Sequence, residues 1–258
     1  MKFFIAAFAS LALALTALPA TAQDAGAPAA SATPAPSALS PAEKAAFEKV
    51  IRDYLIEHPE VIKDAILALQ AKEDATKADA QAQAVAEHKA ELYSDAATPV
   101  AGNPVGDVTI VEFFDYHCPY CKAVAGPLDQ LLKDDKGIRL VLKEFPILGD
   151  DSVLASRAAL ASVQQGKYWA YHQALMAHRG TFDADTLQTI GAKVGLDAAK
   201  LAAAMNDPKV APLIAANRKL ADALDVGATP TFVIGGEVVE GAVPLEKLKA
   251  LVKKARGS

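Results

Sequence analysis

Cysteine is nearly absent: the 258 residues contain two, at positions 118 and 121. A pair three positions apart closes too small a loop to staple a domain of this size, because disulfide stabilisation grows with the length of chain enclosed. It is also too poor in ligands for structural zinc, which needs four where Cys118, Cys121 and His117 are the only local donors. Positive charge is scarce as well. The 26 Lys and Arg against 31 Asp and Glu leave a formal charge of −5, which excludes nucleic acid as a partner and disfavours an anionic membrane surface.

Long apolar runs are missing after the first 18 residues. Lys2 precedes an apolar stretch over residues 3–18, and Ala20-Thr21-Ala22 supplies the small-residue pattern of a signal-peptidase site. The run is short for a membrane anchor, and no stop-transfer cluster follows it. Residues 1–22 are therefore expected to be a signal peptide, and the mature chain an exported, soluble protein. Residues 23–39 hold Ala, Pro, Ser and Gly with few large apolar side chains, so they cannot offset their ordering entropy and should form a disordered tether.

What is present begins at Ser40-Pro41-Ala42-Glu43, a capping box with Pro at the first helical position. Phe47, Val50, Ile51, Tyr54 and Leu55, and after Pro59 a second set of Val61, Ile62, Ala65, Ile66 and Leu69, recur at helical spacing. They predict two amphipathic helices. Residues 70–92 keep helix propensity, but Val85 is their only large apolar residue before the end, which predicts a solvated connector helix. An apolar helical pair beyond a polar connector needs a cover, and self-association is expected to provide it. Residues 95–104, with Pro99, Gly102 and Pro104, read as a loop.

Residues 108–122 read VTIVEFFDYHCPYCK, a β-branched and aromatic run that breaks at Cys118-Pro119-Tyr120-Cys121. This predicts a buried strand, a tight turn and a helix whose N-terminus carries both sulfurs. Unpaired backbone N–H groups and the positive end of the helix dipole favour a thiolate there, making Cys118 the expected nucleophile and Cys121 the resolving thiol. Glu112 alternates with Val108, Ile110 and Phe114 on one side of the strand. A carboxylate in so apolar a run either meets a cation, with Lys143 plausible by position, or has a raised pKa and can accept and return the proton of Cys121. The bland alternative for Glu112 is a salt bridge at an exposed edge. His117 either stabilises the thiolate when protonated or is a solvated residue at a helix start. Tyr120 is expected to shape access to Cys118. His172 and His178 read as packing or surface residues.

A strand over 138–145 follows the cysteine helix and makes a parallel βαβ unit. Helices are expected over 152–166, 167–177, 184–194, 198–205 and 208–224. A hairpin turning at Gly235-Gly236 and a closing amphipathic helix over 244–254, with Leu245, Leu248, Leu251 and Val252 inward, complete the chain.

Residues 105–254, with FFDYHCPYCK and ATPTFVIGG at the two ends of a split domain, resemble the thioredoxin superfamily, and the helical insertion resembles its DsbA-like branch. With the helical start FEKVIRDYLIEHPEVIKDAILALQ, the chain is similar to the suppressor of copper sensitivity protein C (ScsC) group of periplasmic proteins. The resemblance implies an α/β thioredoxin-like fold with a helical insertion at about 150–225, occupying 98–258 and preceded by an N-terminal helical oligomerisation region at 40–97. It also implies a cis Pro230 that places Thr229 opposite the sulfurs, where its N–H and C=O can pair with an extended client. A Thr before this proline resembles the disulfide isomerases more than the oxidases.

The expected activity is periplasmic protein disulfide isomerisation or reduction by a redox-active Cys118–Cys121 disulfide, without another cofactor. The expected partners are unfolded or misoxidised exported proteins, a membrane thiol reductase of the ScsB or DsbD kind, and further copies of the chain, three by resemblance. Other readings are a dithiol oxidase, a Cu(I)-binding protein using the soft thiolates of Cys118 and Cys121, and a non-catalytic assembly protein. Covalent haem is excluded because Lys122 stands where CxxCH needs histidine.

Overall fold

The computed structural model describes residues 39–257. The expected signal peptide, and the expected tether up to residue 38, lie outside the described residues. The described residues divide into two compact units, which part between Val61 and Ile62.

In the first unit, helix α1 (Pro41–Glu57) starts from the capping box: Ser40 N–H donates to Glu43 Oε2 at 2.8 Å, and Glu43 N–H donates to Ser40 Oγ at 3.4 Å. Apart from half-buried Leu55, its large apolar side chains are exposed, Phe47 by 61% and Val50 by 64%. Helix α2 (Glu60–Glu87) is one continuous 28-residue helix, so the second apolar repeat and the polar connector form a single element. The Ala, Lys, Glu and Gln content of 70–87 offers nothing to break it. Ile66 and Leu69 on this helix are also exposed.

The expectation of a wholly solvated connector fails at its end. Val85, and Leu92 in the short helix α3 (Lys89–Tyr93), are buried against Val111, Phe113, Val141 and Leu220. Gln81 Nε2 also donates to the carbonyls of Leu224 and Asp225 at 3.2 and 3.3 Å. Two apolar side chains a helical repeat apart suffice to dock the segment, although they are too sparse to register as a periodic face.

The sheet has the order β1-β3-β2-β4-β5. Strands β2 (Val108–Phe114) and β3 (Ile138–Glu144) are parallel, joined by helix α4 (Pro119–Asp134). Strand β4 (Thr231–Ile234) runs antiparallel to β2 and forms a hairpin with β5 (Glu237–Glu240). The expected loop at 95–104 contains strand β1 (Val100–Gly102), antiparallel to β3. Its sequence hides this because Gly102 sits at φ +71°, with the Ile138 carbonyl so close that a Cβ would approach it to 2.6 Å.

Between β3 and β4 lie helices α5 (Asp150–Ala161), α6 (Tyr168–Ala177), α7 (Ala184–Lys193), α8 (Ala198–Met205) and α9 (Val210–Ala223). Helix α10 (Leu245–Arg256) closes the unit with Leu248, Leu251 and Val252 buried. Alternation along β2 splits the core. Ile110 and Phe114 face a cluster with α4, α6 and α10, while Val111 and Phe113 face α9 and the end of the N-terminal helices. The mixed sheet with helices on both faces is the expected thioredoxin-like α/β architecture.

Candidate active site

Strand β2 delivers the chain into a turn of four residues and then into α4. Cys118 is the N-cap, with extended backbone (φ −65°, ψ 117°), and Pro119 begins the helix where no N–H donor is required. The turn closes with Cys118 N–H donating to Asp115 O at 3.1 Å, and its side chain makes no capping bond, which leaves the sulfur for other work. The Cys118 thiol donates instead to the carbonyl of Thr229 at 3.1 Å. Both cysteines are free thiols, Cys118 4% exposed and Cys121 fully buried. Burial, reinforced by Glu112 when that carboxyl is ionised, pushes the Cys121 thiol far above the ordinary range, so it keeps its proton until something removes it.

The Thr229–Pro230 peptide bond is cis. The Pro230 carbonyl accepts Gly241 N–H at 2.8 Å and Thr231 Oγ1 donates to Ala228 O at 2.8 Å, so the loop before β4 is held at both ends. Among the described residues the Thr229 N–H has no acceptor, and its carbonyl meets only the sulfur. Tyr120 is 64% exposed, on the surface of the first turn of α4.

Glu112 is 2% exposed, which removes the exposed-edge alternative. Burial, and secondarily the carboxyl of Glu144, pushes its pKa up to about 8, so at neutral pH it carries a proton. Lys143 is not its partner. Glu112 pairs in register with Leu142, which puts the Lys143 side chain on the other face of the sheet. There its ammonium donates to Glu91 O at 2.7 Å and Thr98 Oγ1 at 2.8 Å, with Asp95 at 3.7 Å. Glu112 instead shares its face with Glu144, likewise pushed up to about 8 by burial.

Several polar residues around the site were not singled out from sequence. Asp115 is fully buried and accepts four donors: His117 N–H at 2.7 Å, Ser152 Oγ at 2.7 Å, and the Ile147 and Leu148 N–H groups at 2.8 and 3.0 Å. It ties the cysteine turn to the segment after β3 and to the start of α5. Glu144 accepts from Tyr168 OH at 2.7 Å and Tyr116 OH at 3.1 Å, and Tyr116 OH also lies 3.0 Å from His172 Nδ1. Glu144 Oε2 and Ser156 Oγ lie buried beside this cluster without an aligned hydrogen bond of their own. His172, which the sequence assigned to packing or surface, is a buried packing residue stacked on Trp169, and burial lowers its pKa to about 3 so that it stays neutral.

His117 is half-buried and, among the described residues, makes no hydrogen bond to either sulfur. Its Nε2 lies 2.6 Å from Asp151 Oδ2, an ion-pair contact without hydrogen-bond alignment, and its ring meets Phe182 edge-on at 4.9 Å. Among the described residues no group of three or more His, Cys, Asp or Glu is arranged to hold a metal ion. None of the described helices is long and apolar enough to cross a membrane.

Residues 109–253 match the family described as DSBA-like thioredoxin domain, and residues 43–75 match the copper resistance protein ScsC N-terminal domain. A thioredoxin-like oxidoreductase from Silicibacter pomeroyi is 44% identical, with 66% of this chain and 98% of that one covered and a TM-score of 0.64. ScsC of Proteus mirabilis, in a transitional conformation, is 30% identical over 85% of this chain and 98% of its own, with a TM-score of 0.63. The thiol-disulfide exchange protein alpha-DsbA2 of Wolbachia pipientis is 30% identical over 70% and 97%, with a TM-score of 0.66. Among curated proteins, a Na(+)/H(+) antiporter NhaA of Salinispora tropica is 31% identical over 161 residues, and the chain spans a quarter of its length.

Proposed function

The chain belongs to the DSBA-like thioredoxin domain family of thiol:disulfide oxidoreductases, and we propose that it is a periplasmic protein disulfide isomerase or reductase. Cys118 is the attacking sulfur. Its thiolate forms a bond to one sulfur of a client disulfide and expels the other as a thiolate, while the Thr229 N–H and C=O take the client backbone in strand-like pairing. In isomerisation the expelled thiolate attacks another client disulfide, the thiolate freed there attacks the client sulfur bonded to Cys118, Cys118 leaves as a thiolate, and no net electrons move. In reduction Cys121 gives its proton to Glu112, once that carboxyl is ionised, and attacks Cys118 Sγ. The client leaves as a dithiol and Cys118–Cys121 becomes a disulfide. Two electrons and two protons from a membrane thiol reductase of the ScsB or DsbD kind then restore the pair.

The observation that carries isomerisation over plain oxidation is at the N-terminus. The segment matching the ScsC N-terminal domain holds Phe47, Val50, Tyr54, Ile66 and Leu69, all exposed in the single chain. Apolar surface of this kind favours association of several copies, trimers by family resemblance, and several sites around one client raise the local thiol concentration. Cu(I) binding is a second reading, favoured by the two adjacent thiols being the only cysteines in the chain.

The test is reactivation of a scrambled multi-disulfide protein by the full mature chain and by a chain starting at Thr76, which keeps Gln81, Val85 and Leu92. The full chain should isomerise, and the short one should retain exchange with a small disulfide while losing isomerisation. Equal isomerisation by both would remove the N-terminal helices from the mechanism. Stoichiometric Cu(I) binding with no activity on the scrambled protein would favour the copper reading.

A further inference from the structure

At Pro119, the residue after Cys118, lies a pocket of about 390 Å³ lined by His117, Pro119, Lys122, Arg179, Gly180 and Thr181. Two of these are cations and none is acidic. Phe182, buried behind them, sets the walls: the Lys122 ammonium lies 5.5 Å from its ring centroid, and the His117 and His178 rings pack on it at 4.9 and 5.1 Å. Lys122 Nζ donates to His178 O at 2.5 Å, which joins α4 to the segment carrying Arg179.

The charges in this pocket are unspent. Among the described residues neither Lys122 nor Arg179 forms an ion pair. Lys122 has one acceptor for its three donors, and Arg179 makes only long contacts, at 3.3 and 3.5 Å, through one of its three nitrogens. The nearby carboxylates have other partners: Asp151 meets the pocket's own His117 and Ser152 N–H, Asp183 accepts from Thr186 N–H, and buried Asp115, whose charge reaches Lys122, accepts four donors. Lys122 is also partly desolvated and close enough to feel the charge of Arg179, which together lower its pKa. Two neighbouring cations in a concave site, in a chain of net charge −5, make a local positive field against the overall charge.

We propose that this pocket receives a client carboxylate, from an Asp or Glu one or two residues from the cysteine that joins Cys118, so that disulfides flanked by acids are preferred. This rests on the reading of Cys118 as the exchanging sulfur. Position supports it: Pro119 is both the pocket's edge and the residue after Cys118, and an extended client advances only about 3.3 Å per residue. The planar guanidinium of Arg179 suits a carboxylate, with Lys122 as a second donor.

The test uses three small disulfide peptides that differ only in the residue beside cysteine: Glu, Gln or Lys. Second-order rate constants for exchange with the reduced full chain should fall in that order, with Glu over Gln by about fivefold to thirtyfold at low salt and less at high salt. In R179Q, and further in R179Q/K122Q, the Glu-to-Gln ratio should collapse towards one, whatever happens to absolute rates. A wild-type ratio of one at low salt, or an unchanged ratio in both variants, overturns the pocket assignment while leaving exchange intact. A chain that exchanges with none of the three peptides overturns the thiol-exchange reading and the pocket with it.

Discussion

At the scale of single residues, buried acids decide how the site responds to pH. Glu112 holds its proton more tightly folded, at about 8, than its ordinary 4.5. As pH rises from about 4.5 towards 8 the unfolded chain loses that proton first, so this group's contribution to stability falls across the window and levels off above it. Glu112→Gln should flatten the pH dependence of the thermal midpoint between pH 5 and 8. At pH 8 the variant should be at least ~1 kcal/mol more stable, an upward shift of about 2–4 °C. In stopped-flow measurements the same variant should release mixed disulfides more slowly through Cys121 while Cys118 still alkylates. Unchanged release would remove Glu112 from the proton path. Asp115→Ala strips the acceptor from two hydroxyl or turn donors and from the Ile147 and Leu148 N–H groups. Urea unfolding should show a loss of about 3 kcal/mol or more. Glu112 could be found in the sequence because a carboxylate interrupts an apolar strand. Asp115 and Glu144 could not, since their partners lie 24 to 37 positions away for Glu144–Tyr168 and Asp115–Ser152. Lys143 sits on the neighbouring strand, but one position out of register with Glu112, so the alternation of side chains between faces turns it away.

At the scale of elements, helical segments and parallel strands were legible and short edge pieces were not. Helix α8 spans the expected residues 198–205, and α4 starts at Pro119 as expected, because Pro and capping Asp residues mark these limits in the sequence. Strand β1 was missed because three residues between Pro99 and Asn103 carry no period; the partner strand β3 creates it. Helix α2 was read as two pieces, since loss of an apolar face looks like an ending although the backbone has no reason to stop. Docking of its far end is a tertiary property of Val85 and Leu92. Leu92→Ala should therefore destabilise the catalytic unit by about 2–5 kcal/mol in chemical denaturation, the loss expected for a fully buried leucine. A loss below ~0.5 kcal/mol would mean that this segment does not belong to the core.

At the scale of the whole molecule, the proposed isomerase needs more than one chain. Phe47→Asp combined with Tyr54→Asp places charge on the exposed face of α1. Sedimentation should show the full chain as an oligomer and the variant as a monomer, with isomerisation lost and simple thiol exchange kept. A monomeric wild-type chain would refute the shared-client picture. A protein that handles unfolded polypeptides must also avoid becoming part of their aggregates, and the sheet margins bear on this. One margin is β1, three residues long; the other is β5, four residues whose two exposed acids, Glu237 and Glu240, are held by Lys254 and Lys77. Short strands and charged rims offer little for a sticky chain to zip onto. Under the proposed function, a client would be gripped at its cysteine without the sheet seeding a growing fibril.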